Sequence, residues 1–187
     1  MASLSLVGGF TNPPVQSAEA FRVALDVMAR PGKIAELQSA TAPGLSPAAA
    51  TLILTLCDGT TPVYLAGAFD RPDLRDWITF QTGAPFAVGS EAVFAVGTWD
   101  DLLPLDRFPV GTPEYPDRST TLIVEVTALS ETGTRLKGPG IKAEAALSLP
   151  GPELLAHNAA LFPLGLDAFF TAGTRVAALP RTTQEVR

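Results

Sequence analysis

The chain has 187 residues, 47% hydrophobic and 17% charged, with 16 glycines and 17 prolines; this is enough for one substantial core, too little for two, and interrupted by many turns. A formal charge of −6 offers no general attraction to a nucleic-acid backbone or an anionic membrane, and no stretch reaches the roughly 18 unbroken apolar residues of a membrane span. One cysteine, Cys57, and one histidine, His157, exclude an internal disulfide, a Cys-rich cluster and a multi-histidine metal centre within the chain.

In chain order, residues 1–16 read as an irregular arm with no basic region of the kind that opens a secretion signal, so the protein is expected to be cytoplasmic. Ser17 stands where a helix cap would, and Phe21, Ala24, Leu25 and Met28 then recur at helical spacing as one apolar face until Arg30-Pro31-Gly32 stops the helix. Ser46 and Pro47 open a second helix that stays apolar nearly all round to Cys57, which predicts deep burial for the helix and its thiol. Pro62–Ala66 is extended. Asp70–Gln81 returns to helical spacing through Leu74, Trp77 and Ile78 and is broken by Thr82-Gly83-Ala84-Pro85. Phe86–Val88 and Ala92–Val96 read as strands joined at Gly89-Ser90, and Thr98 can cap a short helical turn to Asp101.

Gly111-Thr112-Pro113-Glu114-Tyr115-Pro116-Asp117-Arg118-Ser119 is the most polar and rigid stretch. Its prolines fix their own φ and push Thr112 and Tyr115 towards extended backbone, so no helix passes through it. It feeds a β-rich run, Thr120–Val126, in which Leu122, Val124 and Val126 face the core and Thr121, Ile123, Glu125 and Thr127 the other side. Glu131-Thr132-Gly133 turns the chain into Thr134–Lys137, expected to be the hairpin partner of that run. Gly138-Pro139-Gly140-Ile141 is a tight turn able to approach a neighbour closely. A helix over Pro152–Phe162, strands at Leu166–Phe170 and Val176–Leu179, and fraying over residues 182–187 complete the reading. The fold class is α/β: one domain over residues 1–187, a mixed sheet with helices on both faces.

Familiar catalytic signatures are missing from the chain. GxxxxGK(S/T), GxGxxG, HExxH and GxSxG do not occur. His157 lies mid-helix beside Asn158 and reads as a packing or surface residue, and Lys33, Lys137 and Lys142 lack the apolar shielding that a Schiff-base lysine needs. What remains are arginines beside prolines, glycines and hydroxyls: Arg30, Arg118 and Arg181. Each suits an oxyanion, but pairing with a nearby carboxylate such as Asp26 or Asp117 is the commoner role for such a group, and on the residues alone it is the favoured reading.

Several segments in order resemble one known family. They are Gly8-Gly9-Phe10, Met28-Ala29-Arg30-Pro31-Gly32, Leu54-Thr55-Leu56-Cys57-Asp58, Phe80-Gln81-Thr82-Gly83-Ala84, the whole 111–119 loop, Leu136-Lys137-Gly138-Pro139-Gly140-Ile141, Phe162-Pro163-Leu164-Gly165-Leu166-Asp167 and Leu179-Pro180-Arg181-Thr182-Thr183. Together they resemble the PhnH family, the H subunit of the bacterial carbon–phosphorus lyase core complex. Cys57 departs from the pattern, standing where an aliphatic residue is more usual.

The resemblance implies a subunit that works with G, I and J partners. With a further L subunit, the G, H and I group is associated with forming ribose 1-alkylphosphonate 5-triphosphate from ATP and an alkylphosphonate, displacing adenine. It also implies a reduced type I PLP-transferase-like fold that binds no PLP, no cofactor or metal held by this chain, and homodimers when the subunit is alone. Taken with the residues, it nominates Arg30, Glu114, Tyr115, Asp117, Arg118, Gly138, Gly140, Arg181 and Thr182 as lining an anion site or a subunit contact. No catalytic nucleophile or general base is assigned. The alternative class is a stand-alone homodimeric transferase or a nucleotide- or phosphonate-binding protein.

Overall fold

The computed structural model describes residues 6–186. In chain order its elements are α1 (Pro13–Ala29), β1 (Ile34–Glu36), α2 (Pro47–Leu56), β2 (Val63–Leu65), α3 (Pro72–Thr82), β3 (Phe94–Thr98) and α4 (Trp99–Leu102). They continue with β4 (Thr121–Glu125), β5 (Thr134–Lys137), β6 (Ala145–Leu147), α5 (Glu153–Leu161), β7 (Asp167–Ala172), β8 (Arg175–Leu179) and β9 (Gln184–Glu185).

Local chemistry sets the ends of the first two long helices. Ser46 caps α2 by accepting the Ala49 N–H at 3.2 Å, with Pro47 in the first turn where no donor is needed. α1 begins ahead of the expected Ser17 cap, because Pro13 and Pro14 are already set for a first turn and Gln16 Oε1 reaches back to accept the Asn12 N–H at 2.7 Å. The arm is accordingly shorter than expected, and it is tied down: Trp77 Nε1 donates to the Val7 carbonyl at 3.0 Å and Gln81 Nε2 to that of Leu6 at 2.8 Å. Residues 1–5 and 187 of the expected arm and frayed end lie outside the described residues.

Six strands form a mixed sheet in the order β1-β8-β7-β4-β3-β2. β2, β3, β4 and β7 run parallel, while β7, β8 and β1 pair antiparallel. In register, Thr121 faces Phe94 on one side and Asp167 on the other, so β4 lies at the centre. Its alternation serves two cores. Ile123 joins the one beneath α1, α2 and α3, whereas Leu122 and Val124 join the other, under α4, α5 and a second sheet ordered β6-β5-β9. The expectation of one core face on this strand was therefore half of the arrangement.

Three pairings differ from the sequence reading. Phe86–Val88 forms no strand: Phe86 makes a single bridge to Val63, residues 89–91 make a 3-10 turn, and β3 pairs in parallel with β2. Thr134–Lys137 does not return along β4 but pairs with β6 and β9. Within the end expected to fray, Gln184–Glu185 form β9, and the Val186 N–H donates to the Arg135 carbonyl at 2.9 Å.

α1 turns only part of the expected face inward: Ala24 is buried and Met28 packs against the core. Ala20, Ala24 and Val27 are buried, while Phe21 is 46% and Leu25 53% exposed. The small buried residues of α1 share one core with Ala48–Ala50 of α2, and the larger ones are left along a groove with Leu56, Phe169 and Pro180.

Candidate functional site

The 111–119 loop is built as its prolines require. Gly111 has φ +81°, a left-handed conformation. Thr112 and Tyr115 exchange backbone hydrogen bonds of 3.1 Å, and a Val110–Ser119 bridge closes the base. Arg118 lies over the Tyr115 ring, its guanidinium carbon 4.0 Å from the centroid, and Tyr115 stays 51% exposed. Glu114 and Asp117 are exposed beside them.

Arg181 holds this loop from below. Its Nε donates to Asp167 Oδ1 at 3.2 Å, its Nη2 to Asp167 Oδ2 and to Ser119 Oγ, and its Nη1 to the Pro116 carbonyl at 2.7 Å. The backbone N–H of Arg181 donates to the same Asp167 carboxylate at 2.8 Å. Four of the roughly five N–H groups of a guanidinium are thus engaged within the chain. The cluster sits at the amino ends of the parallel strands, since Asp167 opens β7.

Gly138 and Gly140 extend the contacts. A Cβ on Gly138 would press on Thr182 and Thr183, which ties the turn to the segment beyond Arg181; one on Gly140 would overlap the Ala29 carbonyl at the end of α1. Arg30 pairs with Asp26, which Lys33 Nζ also meets at 2.6 Å. Arg30 and Gly140 share a cavity of about 360 Å³ with Lys33, Lys142, Glu131 and Glu144, and the 111–119 loop lies outside it. The structure therefore joins Tyr115, Asp117 and Arg118 to Arg181, joins Thr182 to Gly138, and places Arg30 with Gly140 elsewhere.

One carboxyl group escaped the sequence reading of the site. Glu125 ends β4 half-buried, where its Oε1 accepts the Ser46 N–H at 2.7 Å and its Oε2 the Thr171 hydroxyl at 3.1 Å. Burial raises its pKa, and these neutral donors offset only part of that rise. An acid closing an otherwise apolar strand was the available signal. Elsewhere, burial together with the Asp58 charge pushes the Cys57 thiol up to about 12, an inert group as its apolar surroundings predict. His157 is half-buried on α5, and its Nε2 has no hydrogen-bond partner among the described residues.

The family described as bacterial phosphonate metabolism protein (PhnH) matches residues 8–185. The chain belongs to the PhnH family. It is 43% identical over 188 residues to the alpha-D-ribose 1-methylphosphonate 5-triphosphate synthase subunit PhnH of Rhizobium meliloti (strain 1021), covering 95% of this chain and 94% of that protein. To the putative C-P lyase subunit protein HtxG of Stutzerimonas stutzeri it is 30% identical over 175 residues, covering 88% and 83%. The PhnH match takes in both sheets, the 111–119 loop, Arg181 and Glu125.

Proposed function

We propose that the chain is the H subunit of a carbon–phosphorus lyase system, acting with G, I and L subunits where ATP and an alkylphosphonate give ribose 1-alkylphosphonate 5-triphosphate and free adenine, and bound with G, I and J in the core complex. The observation that carries this is the identity of 43% across nearly the full length of a relative named as a subunit of that synthase. Its role is accessory: it presents surfaces on which other subunits complete the site. The Tyr115–Arg118 stack on a clamped loop, and the exposed Phe21 and Leu25, supply the aromatic, arginine and apolar contacts that interfaces favour. When alone, the chain pairs with itself through such surfaces.

A reduced type I PLP-transferase-like fold belongs to the same proposal, without the cofactor. Lys33, Lys137 and Lys142 are all exposed, whereas a Schiff-base lysine needs shielding. A cytoplasmic location accords with the described residues, in which no helix is long and apolar enough to cross a membrane.

The deciding experiment follows assembly and adenine release together. Arg118→Ala is co-expressed with the partner subunits, and adenine is measured with ATP and methylphosphonate. Lost assembly supports the contact role of the 111–119 loop. Intact assembly with lost release assigns the loop to an anion site, and intact assembly with intact release removes Arg118 from both. Adenine release by the purified chain alone would refute the subunit reading.

A further inference from the structure

A groove of about 380 Å³ runs between α5 and the small sheet, and none of the expected site residues lines it. Leu155, Ala156 and Ala159 form its helix wall, and Lys137, Gln184 and Glu185 the wall opposite. β9 ends the sheet ordered β6-β5-β9, so one of its sides is paired with β5 and no strand pairs with the other among the described residues.

The register fixes where the free backbone groups point. The Val186 N–H donates to the Arg135 carbonyl at 2.9 Å, which makes these two a hydrogen-bonded pair. Two positions along the ladder Gln184 and Lys137 are the next such pair, with Glu185 opposite Leu136 between them. Glu185 therefore turns its N–H and its carbonyl away from β5, towards the open side, and neither has a hydrogen-bond partner among the described residues. The edge at β2 is different. There the Val63 N–H donates to the Pro85 carbonyl at 2.8 Å, and the Val63 carbonyl accepts the Ala87 N–H at 3.0 Å. An edge left open is a template for another chain.

The lining narrows what that chain is. Residues opposite one another on paired strands share a face, so Glu185 lies on the face of Leu136, which is buried in one core with Leu154 and Leu155 of α5. A residue set opposite Glu185 on an added strand meets the α5 wall, where Ala156 and Ala159 leave room for its side chain. A helix keeps its backbone groups for itself and would leave those of Glu185 unmet, whereas an extended segment answers both. The geometry points to a docking groove in which an extended segment of a partner subunit adds a strand to the outer side of β9, pairing its backbone with Glu185. Resting on the subunit reading above, the segment comes from one of the chains with which this one assembles. Opposite Glu185, which takes part in no ion pair among the described residues, it carries lysine or arginine, the aliphatic stem on Ala156 and Ala159 and the charge at the carboxylate.

The test compares hydrogen exchange of the Glu185 amide in the isolated chain and in the complex assembled by co-expression with the partner subunits. Assembly should slow it by roughly tenfold or more, while the amides of Gln184 and Val186, already turned to β5, change less. Glu185→Pro removes the outward N–H and spares the ladder to β5, since an edge strand tolerates proline where its nitrogen faces outward; it should weaken assembly roughly tenfold. Glu185→Gln keeps the N–H and should weaken assembly by about threefold at most. Ala159→Leu, at an exposed helical position, fills the groove without touching β9 and should act as Glu185→Pro does, so the outcome does not hang on one variant. A Glu185 amide unchanged in the complex, Glu185→Pro and Ala159→Leu both assembling like the parent, or Glu185→Gln as damaging as Glu185→Pro would overturn the proposal. So would protection already present in the isolated chain and rising with its concentration, which would assign the edge to a second copy. Failure of the parent chain to assemble at all refutes the subunit reading, and is a different result from an assembled complex in which the Glu185 amide stays open.

Discussion

At the scale of single residues, Arg181 shows what a sequence conceals about charge. Its motif suits an oxyanion, but its partner Asp167 stands 14 positions earlier in the chain, where no local pattern flags it. With side-chain exposures of 14% and 22% the pair is sheltered, so Arg181→Ala leaves a half-buried carboxylate and is expected to cost roughly 3 kcal/mol of stability in urea unfolding. Amide exchange across 111–119 should quicken in the same variant. Arg118→Ala, on the exposed face of the loop, is expected to stay within about 0.5 kcal/mol of the parent. Glu125 gives a pH signature. Burial holds its folded pKa above the unfolded value, so the stability it contributes is fully present below the unfolded pKa, near 4.5, and is lost as pH rises through the folded one. Glu125→Gln should therefore gain on the parent in urea midpoint as pH rises from 4.5 towards 7, and a gap that widened the other way would contradict the desolvation argument. Ser46 and Thr98 were readable in advance as caps because capping is a matter of neighbours three residues apart.

At the scale of elements, the helices were legible and their orientation only partly so. α2, α3 and α5 lie close to where spacing, proline and glycine put them. The inner face of α1 was read only in part: Ala24 and Met28 do turn inward, but Phe21 and Leu25 were preferred for their bulk over Ala20 and Val27, whereas close helix packing favours small side chains. The consequence is measurable in the isolated chain: Phe21→Ser and Leu25→Ser should change stability by about 0.5 kcal/mol or less, since both side chains are half-exposed. Leu52→Ala, on α2 and fully buried in the core it shares with α1 and α3, should cost about 2–4 kcal/mol by the same measurement. The Gly138–Gly140 turn was correctly read as a place of close backbone approach. Gly140→Ala combines a positive φ with an overlap on the Ala29 carbonyl and should lower the thermal midpoint by several degrees, at about 2 kcal/mol or more.

At the scale of the whole molecule, the class was legible and the wiring was not. Alternating strands and helices announced α/β, yet strand order depends on which apolar faces meet after collapse, and neither spacing nor composition encodes that. The Thr134–Lys137 strand has the length and turn of a hairpin partner to β4, but its pairing with β9 is decided by residues 184–185, nearly 50 positions away. The same feature bears on how the protein is made. β1 waits for β8, and β5 acquires its second neighbour only with β9, so both sheets stay incomplete until residues 175–185 are free to pair. Until β8 closes on it, β7 has an unpaired edge at Phe169 and Phe170, where pairing with another chain competes with completion of the sheet. A chain cut before residue 175, which lacks β8, should move largely into the insoluble fraction in expression trials, whereas the uncut chain should stay out of it.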